Sequence, residues 1–157
     1  AALKRFNQYH EGLKGEIRRV TYMNQYRVKF EFTLTNEDSY NYYYLDPDKM
    51  GADLFHYFTN GLHISDEATH ESYSHKMKVE SPESYKTWKK EWLSLIKSGE
   101  TKVISITYDR FEVVPPGIYM ARFNFPGLHW VDKQALKQDE GRIWLGRISF
   151  QKEIIVQ

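Results

Sequence analysis

The nine residues RVKFEFTLT, from Arg27 to Thr35, decide the fold class. Every second side chain in this stretch is apolar, and the residues between them are polar or charged. Successive side chains of a strand point to opposite faces, so a period of two marks one buried and one wet face. The stretch therefore predicts a strand that covers a core with Val28, Phe30, Phe32 and Leu34.

Segments on both sides of this strand repeat its pattern. Turn-forming residues such as Asn36–Ser39 separate them. Many short strands with turn signals between them are typical of an all-β sandwich, and hairpin-sized spacing favours antiparallel pairing. The sequence predicts an all-β antiparallel sandwich of about seven to nine strands in a single domain, 1–157. The further predicted strands are Glu16–Tyr22, Tyr40–Leu45, Val103–Tyr108, Ile118–Phe125 and two short strands within 143–157.

Three segments depart from the strand pattern. Apolar and aromatic residues spaced by three and four, after Pro82, predict a short helical insertion near 83–92, with Leu95 continuing its apolar face. Residues 51–64 fit either one helical face or a hairpin, and the Asn60-Gly61 pair favours the hairpin. Residues 1–12 are mixed and polar, which predicts a flexible or helical arm.

Composition excludes several function classes. The 22 basic and 21 acidic side chains are interspersed, with a net charge of +1, so a nucleic-acid partner has no support. No apolar run is long enough to span a membrane. Cysteine is absent, which excludes disulfides, thiol catalysis and zinc–thiolate sites. The first residues, Ala1 to Leu3, contain no signal peptide. A chain that starts at Ala1 fits a processed protein and also a vector remnant. We expect a periplasmic or secreted protein rather than a cytoplasmic one.

Motifs for catalysis are missing from the sequence. His70 and His75 resemble the two histidines of a zinc-peptidase motif, which lie four positions apart on one face of a helix. Here they lie five positions apart, so on a helix the second imidazole would point away from the first. The paired carboxylates fall in turns, where acidic residues form local hydrogen bonds. We therefore predict no catalytic residues, no cofactor and no metal, with His70 and His75 as weak metal candidates.

The order of several short motifs resembles a known family. The segments FEFTLTNED (30–38) and YYYLDP (42–47) are followed by KSGE (97–100), ITYD (106–109), PGIY (116–119) and WLG (144–146). This order is similar to the immunoglobulin-like β-sandwich accessory domain that precedes the catalytic domain of deuterolysin-like metallopeptidases, and to intracellular proteinase inhibitor-like domains. The resemblance implies an immunoglobulin-like sandwich without catalytic residues of its own.

Three functions remain open. The first is a protein-binding module, peptidase-associated or peptidase-inhibitor-like, that acts through the loops 46–53, 109–117 and 126–141 at one end of the sandwich. The second is a carbohydrate-binding module that stacks sugars on exposed tryptophans. The third is a metal-dependent enzyme that uses the two histidines named above. The residues predicted to contact a protein partner are Asp46, Pro47, Pro115, Pro116, Pro126 and Trp130.

Overall fold

The computed structural model describes residues 12–23, 26–52, 55–56, 61–76, 90–126, 141–144 and 146–157. These residues form ten strands, a four-residue helix α1 (Pro47–Met50) and a 3₁₀ turn (Lys90–Trp92). The strands are β1 (Leu13–Tyr22), β2 (Val28–Asn36), β3 (Tyr42–Leu45), β4 (Leu62–Ser65), β5 (Ser72–Ser74), β6 (Leu93–Ile96), β7 (Thr101–Tyr108), β8 (Gly117–Pro126), β9 (Arg142–Ile143) and β10 (Arg147–Val156).

The strands lie in three sheets. The first has the order β1-β2-β7, the second β10-β8-β4-β5 and the third β6-β3-β9. All pairings in the first two sheets are antiparallel, as the hairpin-sized spacing predicted. The exception is the short parallel contact of β3 with β9 in the third sheet. The predicted all-β sandwich is confirmed.

Phenylalanines from the two larger sheets meet in the core. The rings of Phe30 and Phe32 on β2 lie 4.7 and 4.8 Å from the ring of Phe123 on β8. Phe32 also contacts Phe125, at 6.0 Å between centroids. Because alternate residues of β2 are buried and the others are half-exposed, the strand covers this core with the side chains that its alternation predicted.

The first and second sheets also approach each other along both of their edges. On one side β10 lies against β1, where the Nζ of Lys152 donates to the carbonyl of Arg18 at 3.3 Å. On the other side an isolated antiparallel bridge joins His75, just after β5, to Phe111, just after β7. The backbone N–H of Lys76 extends this bridge by donating to the carbonyl of Arg110 at 2.7 Å. The core is thus enclosed laterally as well as between the sheet faces.

The third sheet covers one end of this core. The rings of Tyr44 on β3 and of Trp144, just after β9, lie 6.1 and 5.6 Å from the ring of Phe125. Asn36, at the end of β2, is fully buried. Its Nδ2 donates to the carbonyl of Tyr40 at 2.7 Å and to that of Ile96 at 3.1 Å, so one amide joins the first sheet to β6.

Several local predictions were wrong or incomplete. Leu95 was expected on the apolar face of a helix but lies in the strand β6. Of the helical insertion predicted near 83–92, the structure describes only the 3₁₀ turn Lys90–Trp92, because 77–89 lie outside the described residues. Phe55 is helical and its N–H donates to the carbonyl of Gly51 at 3.0 Å, which overturns the hairpin reading there. The last strand, β10, has ten residues rather than being short. The arm at 1–11 lies outside the described residues.

Candidate functional site

The loop that follows β7 carries the best exposed part of the predicted contact surface. Pro115 and Pro116 are exposed, and Val113 exposes 57% of its surface. The Tyr119 hydroxyl donates to the carbonyl of Pro115 at 2.6 Å, and the Glu112 carboxylate accepts from the N–H of Ser74 at 2.9 Å. The loop is therefore fastened to β8 at one end and to β5 at the other.

Two further exposed apolar residues lie on the outer face of β8, which begins directly after this loop, and of its partner β10. Ile118 and Ile155 are register partners in these two strands. They expose 64% and 70% of their surfaces, the two highest values among the exposed large apolar residues of the described chain. A neighbouring exposed residue on β10, Glu153, adds a negative charge. We define the Ile118 surface as Val113, Pro115, Pro116, Ile118 and Ile155.

Two of the predicted contact residues face inward. Asp46 and Pro47 are buried. One carboxylate oxygen of Asp46 accepts from the N–H of Asp48 at 2.9 Å and caps α1, while the other accepts from the Ser94 hydroxyl at 2.6 Å. An aspartate before a first-turn proline is a common helix start, so both residues serve α1 rather than a partner.

The remaining predicted contact residues have no described side chain. Pro126 ends β8, and its side chain is outside the description. Trp130 and nearly all of the loop 126–141 lie outside the described residues as well. The structure therefore brings together Pro115 and Pro116 with Ile118, which sequence analysis placed in a strand without assigning it a role. The sequence did contain a signal for the exposure of Ile118, because it occupies the opposite face of β8 from the inward Tyr119 and Ala121.

The two histidines proposed as weak metal candidates are separated. His70 is exposed in the turn between β4 and β5, with a φ of 63°. His75 exposes only 5% of its surface and lies beside the core. Strand β5 separates the two residues, with His75 buried after it and His70 in solvent before it. They therefore do not share a first-row metal in this structure.

His75 instead meets aromatic and histidine side chains that the sequence had not linked. Its ring lies 5.2 Å from that of Tyr108 and 5.7 Å from that of His56. His63 adds a third imidazole, 5.9 Å from His56. Burial raises the pKa of the Tyr108 hydroxyl, and the backbone of Leu62 lowers it by a smaller amount. This histidine cluster, His56, His63 and His75, runs from the core towards the surface.

A small pocket opens beside the histidine cluster. It has a volume of about 140 Å³ and is lined by Ala52, His75, Thr107, Asp109 and Arg110. Asp109 forms an ion pair with Arg27 at 3.0 Å. The pocket therefore combines a buried imidazole with a guanidinium and a carboxylate whose charge is already balanced.

The described part of the chain gives no direct support to metal or sugar binding. Within it, no group of three or more histidine or acidic residues is placed to hold a metal ion. Trp92 and Trp144 are buried in the core, so neither offers a face for sugar stacking, and Trp88 and Trp130 lie outside the described residues. No helix among the described residues has the length and hydropathy to cross a membrane.

Comparison with known proteins adds no assignment. No protein-family model matches the chain, and no curated protein sequence matches it significantly. The resemblance to immunoglobulin-like accessory domains stays a prediction from the sequence motifs.

Proposed function

We propose that this protein is a non-catalytic protein-binding module that acts through the Ile118 surface. The observation that carries the proposal is the exposed register pair of Ile118 and Ile155. Single exposed apolar residues are normal, but two isoleucines exposed opposite each other on paired strands, directly after a loop with two exposed prolines, are typical of an interaction site.

The energetics of this surface suit a protein partner. Fully burying an exposed isoleucine side chain stabilises a complex by about 1.5–3 kcal/mol. Because 64% and 70% of the surfaces of Ile118 and Ile155 remain to be buried, the pair supplies about 2–4 kcal/mol before the costs of association. Glu153 beside the pair favours a partner that presents apolar side chains next to a basic residue.

The loop supports the finer proposal, a peptidase-associated or peptidase-inhibitor-like role. Two adjacent prolines limit the backbone freedom of 115–116, and the Tyr119 hydrogen bond to the Pro115 carbonyl holds the loop to β8. A loop that is already ordered loses little entropy when it binds, which is what a rigid inhibitory loop requires. In this proposal the module meets its partner outside the cytoplasm.

The test compares three proteins as bait for co-purification from the source organism. They are the native chain, the double variant Ile118→Lys/Ile155→Glu and the control Val103→Lys, whose valine is 53% exposed on the other sheet. The two new charges of the double variant lie opposite each other and attract, so the sheet is kept. We expect the native chain and the control to retain the same partner, and the double variant to lose it.

A panel of purified peptidases tests the inhibitory role. Inhibition by the native chain that is lost in Pro115→Gly/Pro116→Gly supports it. If no bait retains a protein, or if the double variant binds as the native chain does, the proposed function is wrong.

A further inference from the structure

The turn 66–71 between β4 and β5 lies beside the Ile118 surface. Strand β4 pairs with β8 up to Ser65, the register partner of Met120, and the turn follows directly. Strand β10 pairs with the opposite edge of β8. The turn therefore flanks the beginning of β8, where Ile118 lies, on the side away from β10.

Two carboxylates of this turn act on β8. The Tyr73 hydroxyl donates to the Glu71 carboxylate at 2.9 Å, and the ring of Tyr73 lies 6.0 Å from that of Tyr119. Burial raises the pKa of Tyr119, and the negative charges of Asp66 and Glu71 raise it further. Both carboxylates are thus close to the strand that carries Ile118.

A third carboxylate lies on the other side, because Glu153 is exposed on β10 two residues before Ile155. We define the acidic rim as Asp66, Glu71 and Glu153. Within the described part of the chain none of the three forms an ion pair, whereas the neighbouring Glu67 is balanced by Arg122 at 2.6 Å. The rim therefore adds negative charge on both sides of two exposed isoleucines.

Size and charge together favour a short basic segment as the occupant. A stable interface between folded proteins takes about 20–30 residues from each side, far more than the Ile118 surface offers. A second copy of the chain would bring its own acidic rim, and like charges placed against each other oppose association. An anionic lipid surface is disfavoured for the same reason.

Strand spacing sets the length of this segment. The two sides of the rim belong to β10 and to the end of β4, which lie on either side of β8, so they are about 10 Å apart at about 4.8 Å per strand. An extended chain covers that distance in about three residues. Building on the protein-binding function, on which this step rests, we propose that the Ile118 surface binds an extended partner segment with two apolar residues between two lysines or arginines.

The experiment titrates the native protein at low salt with the peptide Gly-Lys-Ile-Ile-Lys-Gly. One control peptide has glutamates in place of the lysines, and the other has serines in place of the isoleucines. NMR follows the amides of Ile118, Glu153 and Ile155. We expect saturable shifts with the first peptide, weaker binding by both controls, and a loss of affinity as salt screens the charges. Absence of saturable shifts, or equal affinity for the glutamate peptide, overturns the proposal.

A variant of the acidic rim locates the binding. Asp66→Asn/Glu71→Gln/Glu153→Gln removes the charges and keeps a side-chain oxygen as acceptor at each position. Since one exposed ion pair contributes a factor of about 1.4–5, this variant should bind the peptide about fivefold more weakly. Unchanged affinity would contradict the proposal.

A matched control removes three exposed charges elsewhere and should bind the peptide as the native chain does: Glu16→Gln/Glu37→Gln/Glu91→Gln. Co-purification separates this proposal from the proposed function. If the native chain and the rim variant retain the same partner equally, the basic segment is wrong and the protein-binding function stands. If the native chain retains no partner, the protein-binding function itself is wrong.

Discussion

At Gly15 the first strand has no room for a side chain. A Cβ placed there would overlap the ring of Phe150 on β10. That ring cannot swing away easily, because it packs 5.7 Å from Phe32 and 5.4 Å from Phe123. The close approach of β1 to β10 therefore depends on the missing side chain.

Replacement of this glycine should destabilise the protein by overpacking. We expect Gly15→Ala to lower the free energy of unfolding by about 1–3 kcal/mol, measured by denaturant titration. In a Phe150→Leu background, where the ring is gone, the same replacement should cost about half as much or less. Equal costs in both backgrounds would show that the strands do not meet at this point.

A hydrogen bond between Tyr42 and Asp38 makes stability depend on pH at both extremes. The Tyr42 hydroxyl donates to the Asp38 carboxylate at 2.5 Å. This bond, with a smaller effect from the Ser39 N–H, lowers the pKa of Asp38. Partial burial, and then the same bond, raise the pKa of Tyr42 to about 12.

The signs follow from these shifts. Asp38 stabilises the fold above its unfolded pKa of about 3.9, and this is lost as the pH falls through the lower folded value. Tyr42 stabilises the fold below its unfolded pKa of about 10, and this is lost as the pH rises through the higher folded value. We expect Tyr42→Phe to flatten the decline of unfolding free energy on both limbs. The control Tyr40→Phe removes only the smallest contribution to the raised pKa of Tyr42 and should change the alkaline limb much less. Steep limbs retained in Tyr42→Phe would contradict this assignment.

Burial at single residues was only partly predictable. The alternation of apolar and polar residues correctly predicted which side chains of β2 face inward, because successive side chains of a strand point to opposite faces. The burial of Asp46 was not predictable, since an Asp-Pro-Asp segment reads equally as an exposed turn and as a capped helix start. Likewise, the partners of His75 lie 19 and 33 positions away along the chain, at His56 and Tyr108, and no local pattern links them.

At the scale of elements, Asn36 joins β2 to β6 and the turn between β2 and β3. Its Oδ1 accepts from the N–H of Asp38 at 3.0 Å, in addition to the two bonds that its Nδ2 donates. A buried amide that satisfies three backbone groups cannot be replaced by an apolar residue without leaving those groups unpaired.

We therefore expect Asn36→Ala to lower the free energy of unfolding by about 2–3 kcal/mol in denaturant titration. The matched control is Asn41→Ala, which removes an amide whose Oδ1 accepts an exposed hydrogen bond from the Ser98 N–H. Its cost should be smaller than that of Asn36→Ala, because Asn36 is fully buried and Asn41 is only half-buried. Equal costs for the two variants would contradict the joining role of Asn36.

Strands were predicted well where they are long and half-exposed. β2, β7 and β8 show clear alternation and were found close to their real limits. Leu95 was misassigned because a spacing of three and four arises by chance in short segments, and tertiary pairing with Tyr43 on β3 decides its conformation.

At the scale of the whole molecule, the core and the Ile118 surface have separate tasks. The phenylalanine core holds two sheets face to face, and the outer face of β8 and β10 is left with an exposed apolar pair. The sandwich could be predicted from alternation and turns. The order of its strands could not, since the same strands fit several arrangements until their long-range partners are known.

The most direct test of the protein-binding claim is hydrogen–deuterium exchange on the native chain, free and bound to the partner recovered by co-purification. The account predicts that the amides of Val113, Val114, Gly117, Ile118 and 153–156 gain protection on binding, while those of 38–41, just before the third sheet, do not. Protection confined to 38–41, with 113–118 unchanged, would contradict it.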